Sequence, residues 1–255
     1  MKSRADVLLL ERGLAASRTE AQALILAGQV FTGEQRVDKA GQQLPSDCPL
    51  LVRQRRQYVS RGGDKLAGAL EDLGVDVSGK VGLDVGASTG GFTDCLLQHG
   101  ATKVFAVDVG HGQLAERLRT DPRVINLERT NARHLRREDL GDAIDVVVVD
   151  ASFIGLEKLL PAITTLAPAG AVMVALVKPQ FEVGKDVAKR TRGVIRDAGL
   201  RRAAIERVLG EVARCGWELL GGADCRVPGP KGNVEYFLYA RARGQTKPTA
   251  GSGTT

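Results

Sequence analysis

Apolar and polar positions change their spacing near residue 80. From there on, apolar runs rich in β-branched residues alternate with segments of helical spacing; the runs are VGLDV, KVFAV, VINL, DVVVV, AVMVALV and VEYFLYA. Continuous apolar strands separated by helices are typical of a parallel sheet that helices cover on both faces. The pattern therefore predicts an α/β domain, with a further helix between Lys65 and Leu73 ahead of the first strand.

The segment before residue 58 follows a different pattern. Val7, Leu8 and Leu10 form the apolar side of a short helix, and Ser17 with Glu20 makes the capping box of a second helix. The stretch QVFTGEQRVDKAGQQL then alternates and turns in the manner of short strands. These residues predict a compact helix–helix–strand unit that is separate from the α/β domain.

Composition narrows the class of protein. The formal net charge of +6 and the pI of about 9.3 favour a polyanionic partner, although a solvated basic surface is the simpler alternative. The four cysteines lack C-x-x-C spacing and the three histidines form no pair at metal-ligand spacing, so we expect neither a metal site nor a disulfide. No apolar stretch approaches the roughly 18 residues of a membrane span, so we expect a cytoplasmic protein that does not contact membranes.

The loop after the first strand of the α/β domain has the composition of a nucleoside-binding turn. DVGASTGGFTDCLL leads from a strand into a helix, and its glycines at 86, 90 and 91 allow a ligand to lie against the main chain. Asp108 ends the next strand, 22 residues after Gly86, where an acid accepts the two hydroxyls of a ribose. Loop and acid together predict a nucleoside site; a turn that serves packing alone is the alternative.

Two details favour S-adenosylmethionine over a dinucleotide. The spacing is G-x-x-x-G-G rather than G-x-G-x-x-G, and Asp84 would face the cationic amino group of the methionine but would repel a pyrophosphate. We therefore predict S-adenosylmethionine as the cofactor. The predicted cofactor-binding residues of this region are Asp84, Gly86, Ala87, Ser88, Thr89, Gly90, Phe92 and Asp108.

Charged residues end two later strands. Asp150 follows VVVV and Lys178 follows AVMVALV, each as the first charged residue after a buried run. A lone charge at a strand end also marks a chain that returns to water, so either residue alone leaves its role open. Neighbouring strands would bring both beside the cofactor loop, at the strand ends where open α/β sheets bind ligands. A lysine beside an acid in such a cleft is suited to handling the proton of a hydroxyl.

Four short motifs resemble a known catalytic set. Lys65 in SRGGDKLAGAL, Asp150 in VVVDASF, Lys178 in LVKPQFEVGK and Glu235 in GNVEYFL resemble the Lys-Asp-Lys-Glu tetrad of FtsJ-like ribose 2′-O-methyltransferases. The segment SRTEAQALILAGQVFTGEQRVDKAG resembles an S4-type RNA-binding domain. From about residue 4 to residue 240, with GASTGGFT, ERTNAR and PGPKGNVEYFL included, the arrangement resembles the TlyA family of ribosomal RNA methyltransferases.

This resemblance implies the fold and the domain boundaries. It implies a Rossmann-like, seven-stranded class I methyltransferase fold, α/β in class, with a small N-terminal α+β RNA-binding domain. The expected domains are residues 1–58 for the S4-type domain, 59–63 for a linker, 64–243 for the FtsJ-like methyltransferase domain and 244–255 for a disordered tail. Thr130, Asn131 and Ala132 are implied to lie near the adenine of the cofactor.

The resemblance also implies the reaction. A methyl group would pass to the 2′-hydroxyl of a cytidine in ribosomal RNA of the large subunit, the small subunit or both, and the short termini favour the large subunit. The ribose oxygen would displace S-adenosylhomocysteine in line. Lys178 would deprotonate or steer the hydroxyl, with Asp150 holding it, while Lys65 and Glu235 would fix the nucleotide.

Arginines predict how RNA reaches this site. Aromatic residues make up 4% of the chain, so we expect contacts with phosphates and RNA shape rather than base stacking. The arginines predicted in the first unit and linker are Arg4, Arg18, Arg53, Arg55 and Arg56. Arg190 and Arg192, in the loop after Lys178, would hold the substrate from the other side. For each arginine, a solvated surface position is the alternative.

Two other classes of function are compatible with the resemblance. Members of the family also carry a haemolysin label, but without a signal peptide or a membrane span a chain has no evident way to form a pore. A non-catalytic RNA-binding factor for ribosome assembly would keep the fold without the chemistry. The intact loop and tetrad argue against that second class.

Overall fold

The computed structural model describes residues 2–52, 57–152 and 154–243 of the chain. The chain divides into two compact units, residues 1–56 and 57–255. The first corresponds to the predicted helix–helix–strand unit and the second to the predicted α/β domain.

Over residues 2–52, the first unit forms two helices and five short strands: β1 (Lys2–Arg4), α1 (Ala5–Glu11), α2 (Arg18–Leu26), β2 (Val30–Thr32), β3 (Gln35–Arg36), β4 (Gln43–Pro45) and β5 (Leu50–Val52). β1 pairs with β4, and the other three strands form an antiparallel sheet in the order β3-β2-β5. Leu8 and Leu9 of α1, Ile25 of α2 and Val30 of β2 build its core.

The helix ends of this unit differ in detail from the sequence pattern. Ser17 caps α2 by accepting from the Glu20 amide at 3.1 Å, as predicted, but the Glu20 carboxylate accepts from the amide of Ala16. The reciprocal half of the capping box is therefore displaced by one residue. Leu10 is 42% exposed and Leu9 is buried in its place, because the face of α1 that packs on α2 is rotated from the predicted one.

The second unit is built on a seven-stranded sheet in the order β11-β12-β10-β9-β6-β7-β8. Its strands are β6 (Val81–Val85), β7 (Lys103–Val107), β8 (Val124–Leu127), β9 (Val146–Val149), β10 (Val172–Val177), β11 (Trp217–Asp224) and β12 (Tyr236–Ala242). Its helices are α3 (Arg61–Leu73), α4 (Gly91–Gln98), α5 (Glu116–Arg119), α6 (Arg137–Leu140), α7 (Leu160–Leu166), α8 (Pro179–Glu182), α9 (Lys185–Arg190) and α10 (Ala198–Arg214).

Apolar layers cover both faces of this sheet, as the continuous apolar strands predicted. Val147 and Val149 of β9 pack in one cluster with residues of α7 and α10. Their neighbours Val146 and Val148 point to the opposite face and pack with residues of α3 and α4. Because both faces are covered, the polar residues that follow β6, β7, β9 and β10 are left to gather at the carboxyl edge of the sheet.

The last two strands differ from the expected parallel pattern. β12 runs antiparallel to both β10 and β11, because a loop without a crossover helix joins β11 to β12. β11 was not among the six apolar runs. It lies at the edge of the sheet, its Leu219 and Leu220 are partly exposed, and the register shifts between Leu219 and Gly221. An edge strand with glycines carries a weak pattern.

Candidate active site

Two glycines shape the loop after β6. Gly86 and Gly90 have φ angles of 89° and 90°, and Gly90 caps the start of α4. A Cβ at Gly86 would lie 2.9 Å from the carbonyl oxygen of Asp150, so both the backbone angle and the nearby backbone exclude a side chain there. A Cβ at Gly90 would lie 2.3 Å from Leu118 Cδ1, the end of a side chain, so the backbone angle is the main reason for glycine at this position.

Asp108, directly after β7, organises the neighbouring loops. Its Oδ2 accepts from the Ser88 amide at 2.8 Å and its Oδ1 accepts from the Gly110 amide at 2.7 Å. Glu128, after β8, accepts from the amides of Gln113 and Leu114, and these backbone hydrogen bonds hold the pKa of Glu128 down at about 2. The two carboxylates thus fix the walls of an open cavity between the loops.

This cavity has a volume of about 560 Å³, which suits one nucleoside-sized ligand. Five of the ten predicted cofactor residues line it: Gly86, Ser88, Asp108, Asn131 and Ala132. Thr130 lines it as well, as the resemblance implied. The other five, Asp84, Ala87, Thr89, Gly90 and Phe92, are not among its lining residues.

The sequence analysis missed several residues that line the cavity, among them Val109, Gly110, Gln113, Arg133, Ser152 and Ile154. Asp150 also lines the cavity, and it was predicted as a catalytic residue rather than as a cofactor-binding one. The others stand one to five residues after strand ends or after predicted site residues, so position relative to the strand ends was the available signal.

Asp84 lies behind the loop and is fully buried. Its Oδ2 accepts from the amide of Thr93 at 2.9 Å and from the Thr93 hydroxyl at 2.7 Å, so it fastens the first turn of α4 to β6. Its Oδ1 is buried without a hydrogen-bond partner among the described residues. Burial, with a smaller contribution from the charges of Asp150 and Asp108, raises the pKa of Asp84 to about 7, although the bonds from Thr93 oppose this shift.

The remaining loop residues shape the packing beneath the cavity. Phe92 of α4 is buried and stacks at a tilt on Phe237 of β12, with ring centroids 6.1 Å apart. Gly90 packs against Leu114 and Leu118. The contact between Phe92 and Phe237 joins the helix after the cofactor loop to β12, the strand that begins directly after Glu235.

Lys65 and Glu235 form a buried ion pair. Lys65 Nζ donates to Glu235 Oε2 at 2.5 Å, and the two side chains are 10% and 0% exposed. α3 presents Lys65 and the start of β12 presents Glu235. Glu235 Oε1 is buried without a hydrogen-bond partner among the described residues, and a Cβ at Gly229 would lie 2.4 Å from it. Glycine at 229 leaves room for this carboxylate.

Lys178 and Asp150 form a second pair at the ends of neighbouring strands β10 and β9. Lys178 Nζ lies 2.6 Å from Asp150 Oδ1, donates to Ser152 Oγ at 2.7 Å, and stands 5.9 Å from the centre of the Phe181 ring. The Lys178 side chain is 9% exposed. The lysine is therefore held from several directions in a nearly enclosed position.

Charges from both pairs act on one buried thiol, that of Cys225. Burial raises the pKa of Cys225, the charges of Glu235 and Asp150 act in the same direction, and the charge of Lys65 opposes them. The amide of Cys225 also donates to the carbonyl of Glu235 at 2.9 Å.

Glu182 braces the loop that carries Asp150. Its Oε1 accepts from the amide of Leu156 at 2.9 Å, and its Oε2 pairs with Arg207 of α10 at 3.0 Å. Burial raises the pKa of Glu182 even though both partners oppose that shift. Arg207 also pairs with Glu157 at 2.5 Å. The loops after β9 and β10 are thus tied to each other and to α10.

The predicted RNA-contacting arginines occupy different settings. Arg4 and Arg18 both pair with the buried carboxylate of Asp6 at 3.0 Å, with side chains that are 43% and 53% exposed. Arg190 and Arg192 are exposed in and after α9. Arg53, Arg55 and Arg56 lie outside the described residues. Arg4 and Arg18 are therefore oriented by Asp6 and keep part of each side chain at the surface.

No group of three or more potential metal-ligating side chains occurs among the described residues. All four cysteines are free thiols. In the described part of the chain, no helix has the length and apolar content needed to cross a membrane.

Fold and site together define a Rossmann-like methyltransferase, with a nucleoside-sized cavity at the carboxyl edge of a seven-stranded, mostly parallel sheet. Residues 58–242 match the FtsJ-like methyltransferase family, and residues 3–47 match the S4 domain. The chain belongs to the TlyA family of FtsJ-like methyltransferases, in which an S4 domain precedes the methyltransferase domain.

Its relatives carry two kinds of name. The chain is 47% identical to the 16S/23S rRNA (cytidine-2′-O)-methyltransferase TlyA of Mycobacterium tuberculosis, over 95% of this chain and 91% of that protein. It is 41% identical to Hemolysin A of Brachyspira hyodysenteriae, over 92% and 98%. A solved structure from Streptococcus thermophilus, also named as a hemolysin, is 35% identical with a TM-score of 0.72, covering 97% of this chain and 92% of that one.

Proposed function

We propose that this protein transfers a methyl group from S-adenosylmethionine to the ribose 2′-hydroxyl of a cytidine in ribosomal RNA. The observation that carries the proposal is that the cavity adjoins the pair formed by Lys178 and Asp150. Asp150 and Ser152 line the cavity, and Lys178, which does not line it, contacts both of them. A nucleoside-sized pocket therefore shares a wall with the group suited to handle a hydroxyl proton.

The cavity fits S-adenosylmethionine in its polarity as well as its size. Asp108 is placed to accept from ribose hydroxyls, and Asn131 and Ala132 line the side implied for adenine. Asp84 supplies a negative potential from beneath the loop, and its unpartnered Oδ1 favours a nearby cation. S-adenosylmethionine, when bound, supplies an electrophilic methyl group on a cationic sulfur.

The tetrad then has two tasks, which we assign by pair. Lys178, with Asp150 holding its Nζ, steers the acceptor hydroxyl and takes part in removing its proton. Lys65 and Glu235 form the floor of the acceptor site, where their mutual neutralisation allows both to be buried. Pre-set positions of these groups contribute to the rate by orienting the reacting atoms.

RNA reaches the site by contacts with its phosphates. Arg4 and Arg18 in the S4 domain, and the exposed Arg190 and Arg192 in and after α9, supply positive charge on both units. Arg53, Arg55 and Arg56 stay predictions from the sequence. The S4 match over residues 3–47 supports RNA as the partner of the first unit.

The experiment is a methylation assay on separated substrates. Purified protein and isotope-labelled S-adenosylmethionine are incubated with small subunits, large subunits or free ribosomal RNA, all from cells that lack this enzyme. Digestion to nucleosides and mass spectrometry then measure 2′-O-methylcytidine. We expect label in this nucleoside alone; label in a methylated base would contradict the proposal, and the three substrates show which RNA is used.

Matched variants make this assay specific. Lys178→Ala is expected to keep the fold and the cofactor affinity while losing nearly all transfer. Arg202→Gln, an exposed arginine on α10, is the control that retains wild-type transfer. A Lys178→Ala protein that methylates at the wild-type rate would remove Lys178 from the mechanism.

The hemolysin names define the competing outcomes. Detergent-free protein incubated with red cells measures lysis directly, and we expect none. Calorimetry with S-adenosylmethionine separates an enzyme from an RNA-binding assembly factor, since a factor without the chemistry need not bind the cofactor. Lysis by the purified protein would support a haemolysin instead of the proposed function. An absence of cofactor binding would support a non-catalytic assembly factor.

A further inference from the structure

We infer that Ser152 is a positioning residue for Lys178, and that its hydroxyl holds the lysine Nζ at the wall shared by the donor cavity and the acceptor site. This inference rests on the proposed function. Ser152 Oγ accepts from Lys178 Nζ at 2.7 Å, and Ser152 lines the 560 Å³ cavity whereas Lys178 does not. Ser152 thus links the wall of the cavity to Lys178 by a hydrogen bond.

The contacts of the Lys178 ammonium restrict its orientation. An ammonium has three N–H donors and no acceptor. Ser152 Oγ accepts from one of them at 2.7 Å. Asp150 Oδ1 lies 2.6 Å away as an ion-pair partner that receives no hydrogen bond among the described residues, and the ring of Phe181 stands 5.9 Å away. Ser152 therefore accepts the hydrogen bond that orients Nζ, and a further donor is left for the acceptor hydroxyl.

A hydroxyl differs from a carboxylate in a way that matters during proton transfer. The Asp150 carboxylate only accepts, so its attraction to Lys178 weakens once the lysine has lost a proton. The Ser152 hydroxyl accepts from an ammonium and, after rotation, donates to a free amine. Ser152 therefore keeps its hydrogen bond to Nζ in both states, and the lysine holds its place through the reaction.

The backbone around Ser152 is held firmly enough to perform this task. On one side, the carbonyl of Asp150 packs against Gly86 so closely that a Cβ there would lie 2.9 Å away. On the other side, Glu182 accepts from the Leu156 amide at 2.9 Å. The Ser152 residue itself is exposed, so its substitution removes the hydroxyl without opening a cavity in the core.

Steady-state kinetics separate positioning from cofactor binding. Ser152→Ala is expected to lower kcat about tenfold, the effect of one hydrogen bond to a charged group, with unchanged KM for RNA and unchanged Kd for S-adenosylmethionine. Ser152→Thr keeps the hydroxyl and is expected to restore most of kcat. A raised cofactor Kd with unchanged kcat in Ser152→Ala would overturn the inference, as would wild-type values throughout.

A second readout needs no turnover. Limited acetylation of the amines with acetic anhydride, followed by peptide mass spectrometry, compares the reactivity of Lys178 with that of Lys65 in the same sample. Ser152→Ala is expected to raise Lys178 acetylation about fivefold relative to Lys65, because one hydrogen bond of the amine is lost. Ser152→Thr is expected to resemble the wild type.

Ser88→Ala is the matched control for this readout. Ser88 lines the same cavity, but its hydroxyl bonds to Gln113 Oε1 at 3.1 Å, so Lys178 acetylation should stay at the wild-type level. Equal Lys178 acetylation in wild type and Ser152→Ala would overturn the inference. Failure of the wild type to methylate RNA would instead refute the proposed function, and the acetylation ratio would still decide whether Ser152 holds Lys178.

Discussion

Lys65 Nζ donates to Glu235 Oε2 at 2.5 Å across a separation of 170 residues in the chain. Neither side chain is more than 10% exposed, so each charge is buried and depends on the other. The pair connects α3, which precedes the sheet, with the start of β12, which completes it. It therefore belongs both to the stability of the domain and to the proposed acceptor site.

This double role is separable by mutation. Lys65→Met leaves Glu235 as an unpaired buried carboxylate and is expected to lower the free energy of unfolding by about 3–5 kcal/mol. The double variant Lys65→Met, Glu235→Leu removes both charges and is expected to recover most of that stability without recovering methyl transfer. Chemical denaturation and the transfer assay measure the two effects. A double variant no more stable than Lys65→Met would show that the pair is not the cause.

The raised pKa of Asp84 predicts that the stability of the protein depends on pH. Its pKa is about 7 in the folded protein and 3.8 in an unperturbed carboxyl, so between these values only the unfolded state has lost the proton. Relative to Asp84→Asn, the wild type should lose stability from about pH 4 to pH 7, by at most about 1.4 kcal/mol per pH unit, and then level off. Urea denaturation of both proteins across this range tests it; parallel curves would contradict it.

The same carboxyl predicts a proton release on cofactor binding. A cation in the cavity favours the ionised form of Asp84, so affinity for S-adenosylmethionine should rise with pH up to about 7 and then flatten. Calorimetry at pH 6 in buffers of different ionisation enthalpy measures the released proton. Asp84→Asn should release less, and an unchanged proton count in that variant would assign the release to another group.

Arg190 and Arg192 predict a salt effect. If both contact phosphates, the double variant to glutamine should reduce the slope of log affinity against log salt by about 1–2 and weaken binding across RNA sequences. Filter binding at several salt concentrations measures the slope. Arg202→Gln on α10 is the control and should leave the slope unchanged. An unchanged slope in the double variant would show that Arg190 and Arg192 do not contact RNA phosphates.

Asp6 predicts an acid sensitivity of the first unit. The charge-assisted bonds from Arg4, Gln22 and Arg18 hold the pKa of this buried carboxyl well below its usual range, although burial opposes the shift. Its contribution to stability is therefore present above pH 4 and is lost as the pH falls below that value. Asp6→Asn should cost about 1–3 kcal/mol at pH 7. Equal thermal midpoints for variant and wild type would contradict this.

Much of the fold follows from local patterns in the chain. Runs such as VVVV and AVMVALV are apolar at every position, which requires cover on both faces, and Ser17 satisfies the free amide of Glu20 within three residues. The loop from Asp84 has the same basis, because a positive φ favours glycine wherever the chain is placed. Such features depend on neighbours a few residues away.

The weaker predictions concern positions where distant contacts decide. Leu10 has the same hydropathy as Leu9, but only Leu9 faces α2. Asp84 is buried and accepts from the amide of Thr93, a contact that the sequence analysis did not predict. The loop that joins β11 to β12 makes β12 antiparallel, and the residues of β12 alone do not indicate this direction.

The sequence by itself determined the two-unit organisation, and its motifs predicted the cofactor loop and a tetrad of Lys65, Asp150, Lys178 and Glu235. Only the tertiary structure decided how these residues pair, that Ser152 joins Lys178 to the cavity wall, and that Glu182 braces the same loop. The physical reason is that local pattern sets which face of an element is buried. Strand order and packing set which distant side chains meet there.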